Sequence, residues 1–334
     1  MKYSVIGGEF KIELKENEER GMTSEKLFSS GRSALYAILC NIKKADENTV
    51  VLVPNYLCAS ITHTIEDVEL EYAFYGVNEQ LRPDMDCIID VVQKRHCAVL
   101  FINYFGIVDM GEEVQMLKRK YPFVTVIIDN VQSYYSPICE AADYTFNSFR
   151  KWFPVPDGAQ VFASHSVEYP IDKNTFAKYK LAGNLLKNYS QDIDEDVMLE
   201  LIGRGEDELD KSYNCVCSEF TRRRWNALDF LEMREARQKN AAMIHRELTR
   251  MQVPHLYDKN KVPLFIPMFI DKGRKDIRQY MFERKIFLPI HWPVESIAYN
   301  GENVIYEKEL SLICDHRYSV EDIEYMMETL KECM

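Results

Sequence analysis

The stretch FNSFRKWFPVPDGAQVF, residues 146–162, starts as an apolar strand, meets a serine and a lysine three residues apart, and then breaks into prolines and a glycine. An ammonium at the end of a buried run needs a reason, because an unpaired charge is costly to take out of water. The plain reading is a surface turn that happens to follow a strand. Whether that reading stands depends on what the rest of the chain brings to the same place.

On either side of this stretch lie short apolar runs, "TVVLVP", "CAVLFINYFG", "VTVIIDN", "YTFNSF" and "AQVFAS", without polar alternation, as in strands buried on both faces. The segments "MDCIIDVVQKRH" and "MGEEVQMLKRKY" have helical spacing. Together they predict an α/β domain with a mainly parallel sheet. After an acidic middle, "SQDIDEDVMLELIGRGEDELDK", the spacing predicts one long amphipathic helix over 218–251. The remainder reads as a smaller α+β unit: strand-like "LFIPMFI", a helix over 275–283, strand-like "KIFLPIHWP" and "ELSLIC", and a closing helix from Val320. The expected division is an N-terminal arm at 1–23, a large α/β domain at 24–240 and a small α+β domain at 241–334. There is no internal repeat and no low-complexity tract.

A chain of 334 residues, 46% hydrophobic, can fill a sizeable core. Its net charge of -12 argues against nucleic acid or an anionic membrane as partner, since those surfaces need clustered Lys and Arg. The triplet Arg222, Arg223 and Arg224 is the exception, assigned to solvent or a partner subunit. No run approaches the roughly 18 apolar residues of a membrane span, and the charged N-terminus is unlike a signal peptide. The expectation is a cytoplasmic protein. Nine scattered cysteines, with Cys215 and Cys217 as the closest pair, read as reduced thiols, and no spacing suggests a metal site.

In an open parallel sheet, ligands bind at the carboxyl ends of the strands. Four runs end in polar sets: "VPNYLC", "NYFG", "IDNVQ" and "NSFRK". Asp129, closing "VTVII", is either an acid facing a cation or the N-cap of a following helix. Upstream, "SSGRSALYAIL" places Gly31, Arg32 and Ser33 before a helical pattern, a candidate anion cradle. The "VIGG" near the N-terminus lacks the context of a dinucleotide fingerprint, and there is no Walker-type loop. An anion cradle at a helix start, an acid at one strand end, and a Ser and Lys at the end of a later strand suit a cofactor with a phosphate, a basic ring nitrogen and an aldehyde. Pyridoxal 5'-phosphate (PLP) has all three.

On these residues the chain resembles the fold-type-I PLP enzymes, and within them the DegT/DnrJ/StrS sugar aminotransferases. "SGRSAL" is similar to the family's phosphate loop, "VLVPNYLCAS" to its V-P-x-x-T-F-x-A-T, "INYFG" to its H-x-Y-G, and "IDNVQSYYS" to its E-D-x-A-Q-x-x-G. "NSFRK" resembles the S-F-x-x-x-K segment, "KSYNCVCSEF" the G-Y-N-Y-R-M-S-E segment, and "LSLICDHRYSVEDI" the family's ending. The resemblance implies a Schiff base on Lys151, a pyridine-nitrogen acid in Asp129, and a cofactor contact from Gln132. It also implies phosphate contacts from Gly31, Arg32, Ser33 and Ser148, and Asn214 reaching across a homodimer into the neighbouring active site. Tyr56 is the expected ring-stacking aromatic, since the family's own position falls near Cys58. Arg317 could pair with the carboxylate of an amino donor.

The implied activity is amino transfer from an amino-acid donor to a keto substrate, including a nucleotide-linked keto sugar. Departures mark a divergent member: Ser148 and Lys151 are closer than the family's spacing, Arg32 replaces its Thr, and Val216 follows the interface segment where Arg is usual. Alternatives left open are another PLP reaction (a lyase, aldolase or desulfurase) and a non-catalytic sugar- or PLP-binding scaffold.

Overall fold

The computed structural model describes residues 5–12, 26–189, 195–292, 303 and 305–334. Its main sheet contains β1 (Val50–Pro54), β2 (Glu71–Tyr75), β3 (Cys97–Ile102), β4 (Thr125–Asp129), β5 (Tyr144–Phe146) and β6 (Val161–Ala163), in the order β2-β1-β3-β4-β5-β6. The first five are mutually parallel and β6 runs antiparallel at the edge. All residues of β1 and β3 are buried, which is why those runs carry no polar alternation. The β2 strand has no such run. It is a half-exposed edge strand, and its mixed "EYAFY" gave no strand signal.

Helix α1 (Gly31–Ala45) leads into β1, and α2 (Ala59–Asp67), α3 (Met85–Val92) and α4 (Gly111–Lys120) make the crossovers, so the loops after β1, β3, β4 and β5 gather at one sheet edge. Helices α5 (Phe176–Tyr189) and α6 (Glu195–Leu209) pack on each other beyond β6. The single helix expected over 218–251 is two, α7 (Glu219–Trp225) and α8 (Phe230–Arg250). Asp229 breaks the run because its carboxylate accepts the Glu232 N–H at 2.9 Å and starts a new helix.

In the C-terminal part, β7 (Phe265–Phe269) and β8 (Glu309–Ile313) form an antiparallel pair with α9 (Arg274–Glu283), α10 (Ile305–Lys308) and α11 (Val320–Cys333). A reciprocal capping box of Ser319 and Asp322 opens α11. "KIFLPIHWP" is not a strand: Ile286 makes an isolated bridge to Ile6, and the prolines deny the segment a ladder. The boundary expected at 240/241 falls inside the unbroken α8, whose C-terminal half packs on α11 and β7. Among the described residues no helix is long and apolar enough to cross a membrane.

Candidate active site

Lys151 ends a 3-10 turn, Phe149–Lys151, that follows β5 directly. The turn rests on an aromatic bed. The Phe149 ring stacks on Trp225 with centroids 3.8 Å apart, and Trp152 is buried and donates its indole N–H to the Val131 carbonyl at 2.9 Å. The proline-rich tail folds back beneath: Phe149 N–H donates to the Gly158 carbonyl and Gly158 N–H to the Ser29 carbonyl, at 2.8 and 2.7 Å. Gly158 has φ +112°, and a Cβ there would lie 2.4 Å from the Phe149 ring, so no other residue fits. Asp157, fully buried, accepts the Ser218 N–H and the Asn174 side-chain amide, each at 2.6 Å, and the hydroxyls of Ser218 and Thr221. Desolvation pushes its pKa up, and those donors oppose the rise. The "PVPDGA" segment is therefore a buried clasp joining the lysine turn to α7.

Lys151 opens onto two adjoining cavities of about 320 and 310 Å³. Desolvation lowers its pKa, and the charge of Arg150 lowers it further. Asp129 closes β4 and borders the first cavity. No helix follows it, so the N-cap alternative is gone; its Oδ1 accepts the Val131 N–H at 2.7 Å in a turn. Burial raises its pKa to about 7, against the pull of that N–H and of Lys151. Its other oxygen has no partner among the described residues. Gln132 also borders this cavity; its oxygen accepts the Phe105 N–H at 3.0 Å, which leaves its NH₂ to the cavity.

The start of α1 stands opposite. Ser30 caps it by accepting the Ser33 N–H at 3.1 Å, so the Gly31 and Arg32 amides form the first turn. Gly31 is in close approach: a Cβ would meet Val131 at 3.1 Å and the Asn147 carbonyl at 3.4 Å. Ser148 borders the same space, and its hydroxyl has no partner among the described residues. Arg32 lines the cavity while pairing with Asp210.

Other expected residues lie elsewhere. Ser33 turns away, its hydroxyl donating to the Tyr213 carbonyl at 2.5 Å. Tyr56 is fully buried among Tyr104, Trp292 and Tyr306 and does not line either cavity. Asn214 is exposed on its own chain and donates to Asp172 at 2.9 Å. Arg317 borders the second cavity, but Asp315 holds its guanidinium bidentately at 2.9 and 2.7 Å and the Gly8 and Glu9 carbonyls take a third nitrogen.

Among the cavity residues not anticipated are Ser60, Arg150, His291 and Trp292, and Cys58, near which the family's ring-stacking position falls, also borders the cavity. Arg150 is the residue beside the lysine and was legible from the opening stretch. His291 and Trp292 come from "LPIHWP", where a polar residue between prolines was the available signal. Among the described residues no cluster of His, Cys, Asp and Glu is arranged for a metal ion.

No family model matches the chain, and no curated protein does. Solved structures do. A putative sugar aminotransferase from Streptococcus pneumoniae, in its PLP form, is 16% identical with a TM-score of 0.67, over 98% of each chain. NtdA from Bacillus subtilis, with bound cofactor PMP, is 14% identical with a TM-score of 0.63, over 92% of this chain and 72% of that one. A DegT DnrJ EryC1 StrS aminotransferase from Brucella abortus is 13% identical with a TM-score of 0.61, over 93% and 86%. At these identities the likeness is one of architecture: the chain has the α/β fold of these transferases, the fold-type-I arrangement of a large, mainly parallel domain with a smaller α+β part.

Proposed function

We propose that this chain is a PLP-dependent aminotransferase, a divergent member of the DegT/DnrJ/StrS group, moving an amino group from an amino-acid donor to a keto substrate of the keto-sugar class. The carrying observation is a single cavity bordered by a lysine of lowered pKa, a buried carboxyl short of one partner, and the open first turn of a long helix. Each part is incomplete alone. Among the described residues the second Asp129 oxygen has no hydrogen-bond donor, and the Gly31 and Arg32 amides and the Ser148 hydroxyl have no acceptor; PLP carries a pyridinium N–H and a phosphate that match them.

When bound, PLP supplies an electron sink for a carbanion at the substrate carbon. The chain supplies the rest. Gly31, Arg32 and Ser148 hold the phosphate, and Gln132 contributes its NH₂ at the cavity wall. Asp129 keeps the ring nitrogen protonated, because a carboxyl that is hard to ionise when buried alone ionises readily beside a cation. Lys151 would hold the cofactor, and its amine, of lowered pKa, would serve as the base and acid that moves a proton at the substrate carbon. Arg32, paired to Asp210, adds positive charge at the phosphate end. The second cavity, bordered by Arg150, Lys180 and Glu9, is the approach for donor and keto substrate.

Asn214, turned to the surface of its own chain, completes the site of the partner in a homodimer. The nine cysteines, free of disulfides, suit a reducing compartment such as the cytoplasm.

Purified protein incubated with PLP should show a visible absorbance band, and borohydride should fix the pyridoxyl group to Lys151; Lys151→Ala should do neither. A colourless wild-type protein rejects the cofactor assignment. Glutamate added to the loaded enzyme should yield one equivalent of 2-oxoglutarate in a single turnover. If no amino donor gives its keto acid while the band is present, a lyase, aldolase or desulfurase reaction replaces transamination.

A further inference from the structure

One side chain on the Lys151 cavity has no part in the scheme above. His291 lies in the irregular segment after α9 and borders the cavity, and among the described residues its imidazole has polar contacts through Nδ1 alone. Its Nδ1 lies 3.1 Å from the Ser311 hydroxyl, and that hydroxyl lies 2.5 Å from Oε1 of Glu309. The second Glu309 oxygen accepts the His291 backbone N–H at 2.6 Å. Glu309 and Ser311 both stand on β8 and are fully buried. Phe105, Phe265 and Trp292 surround the ring, with centroids 5.4, 5.1 and 5.5 Å away.

Donor counting fixes the ring. A serine hydroxyl has one proton and two lone pairs. Its short contact with the Glu309 carboxylate takes the proton, because a hydrogen bond to a charged acceptor outcompetes one to a neutral nitrogen. Ser311 therefore meets Nδ1 as an acceptor, and the neutral imidazole carries its hydrogen on Nδ1. Nε2 is then a lone-pair acceptor, and it has no hydrogen-bond partner among the described residues. The arrangement resembles the second-shell logic by which a buried carboxylate selects one histidine tautomer.

We propose that His291, set in the Nδ1–H tautomer by the Ser311–Glu309 pair, is a specificity-determining residue that accepts a hydrogen bond from a hydroxyl or amine hydrogen carried beside the keto carbon of the substrate. The substrate half of this proposal rests on the aminotransferase reading; the tautomer half does not. A keto compound with a hydroxyl on the adjacent carbon satisfies Nε2. One with a methylene there leaves it unpaired, at a cost of about 5- to 10-fold in affinity. Ser311 and Glu309 are positioning residues.

The test begins with the purified chain carrying ¹⁵N-histidine, without cofactor. Long-range ¹H–¹⁵N spectra distinguish the two tautomers, and the His291 signals are those lost in His291→Phe. The expected result is a protonated Nδ1 and a proton-free Nε2 in the wild type, with the pattern shifting toward Nε2–H in Ser311→Ala and Glu309→Gln. A wild-type ring with Nε2 protonated overturns the proposal, and this measurement on wild type stands even if a variant folds poorly. The chain loaded with pyridoxamine phosphate is then titrated with hydroxyacetone and with butanone. Hydroxyacetone should move the Nε2 signal and half-saturate at a concentration about 5- to 10-fold lower than butanone. An Nε2 signal equally indifferent to both overturns the substrate half. Failure of the aminotransferase reading shows itself separately, as absence of the borohydride-fixed pyridoxyl group on Lys151.

Discussion

Replacing Asp129 by Asn should stabilise the cofactor-free chain at neutral pH while removing its ability to hold PLP. The carboxyl is 6% exposed, and its pKa is raised from 3.8 to about 7 because burial disfavours the ionised form. A raised carboxyl pKa means that the folded chain holds a proton that the unfolded chain has released across this window. Stability is then highest below the unfolded value and declines as pH rises toward the folded one. At about 1.4 kcal/mol per pH decade, the penalty is about 3 kcal/mol at pH 6 and levels off near about 4 kcal/mol at pH 8. Both figures are upper bounds, since Asp129 looks onto a cavity that water can enter. Asn keeps the acceptor for the Val131 N–H and has no charge to desolvate, so it escapes the penalty. Urea denaturation of both cofactor-free proteins at pH 6, 7 and 8 measures the gap. Asp129→Asn should be the more stable throughout, with a lead that widens by about 1 kcal/mol from pH 6 to pH 8. Saturating PLP should then reverse the order, because only Asp129 gains a cation. A gap that is constant with pH, or a variant less stable than wild type at pH 8 without cofactor, would refute the argument that Asp129 is a carboxyl waiting for a positive charge.

Three further outcomes are expected. Gly158→Ala should cost about 2–4 kcal/mol in thermal or urea unfolding, from a left-handed φ combined with collision against Phe149, and should weaken PLP binding through displacement of the lysine turn. Arg317→Ala should cost about 3 kcal/mol by stranding the buried Asp315, whereas a specific loss of donor affinity at unchanged stability would restore it as a carboxylate receptor. Asn214→Ala should lower PLP affinity, and in mixed dimers with a Lys151→Ala chain the subunit that retains Lys151 should regain wild-type affinity, because its partner supplies an intact Asn214; affinity that stays lowered there counts against the shared site.

The parts of the site that were legible in the sequence share one property: their neighbours along the chain determine where they go. Asp129 and Ser148 terminate apolar runs, Gly31 opens a helical pattern, and a parallel sheet puts all such ends on one edge. Ser33 misled because it stands two residues after Gly31, and two residues of α-helix carry a side chain about 200° round the axis, here onto the Tyr213 and Cys215 carbonyls. Tyr56 misled because an aromatic near the right place is as easily core as ligand contact, and this one packs against three other rings. Arg317 had its partner within reach in "CDHRY", where Asp315 two residues away was the cheaper match for its guanidinium. His291 was invisible for the opposite reason. Its significance comes from Ser311 and Glu309, about twenty residues on, which meet it because the Ser311 N–H donates to the Pro289 carbonyl and the His291 N–H to Glu309.

The close spacing of Ser148 and Lys151, shorter than in the S-F-x-x-x-K segment the stretch resembles, has a geometric account. The backbone between them is a 3-10 turn, with three residues per turn rather than 3.6, so side chains at i and i+3 lie over one another. Two residues that must both face one cavity can therefore be three apart if the turn between them is tightened. A tight turn has poor hydrogen-bond geometry and needs outside support, and the support is visible in the same stretch of sequence. Phe149 is pinned under Trp225, Trp152 is tied to the Val131 carbonyl, and Asp157 and Gly158 draw the tail back against α7 and Ser29. The prolines and glycine that first suggested a surface turn are the clasp that holds the shortened turn in place, which is why the lysine, exposed as it is, borders both cavities.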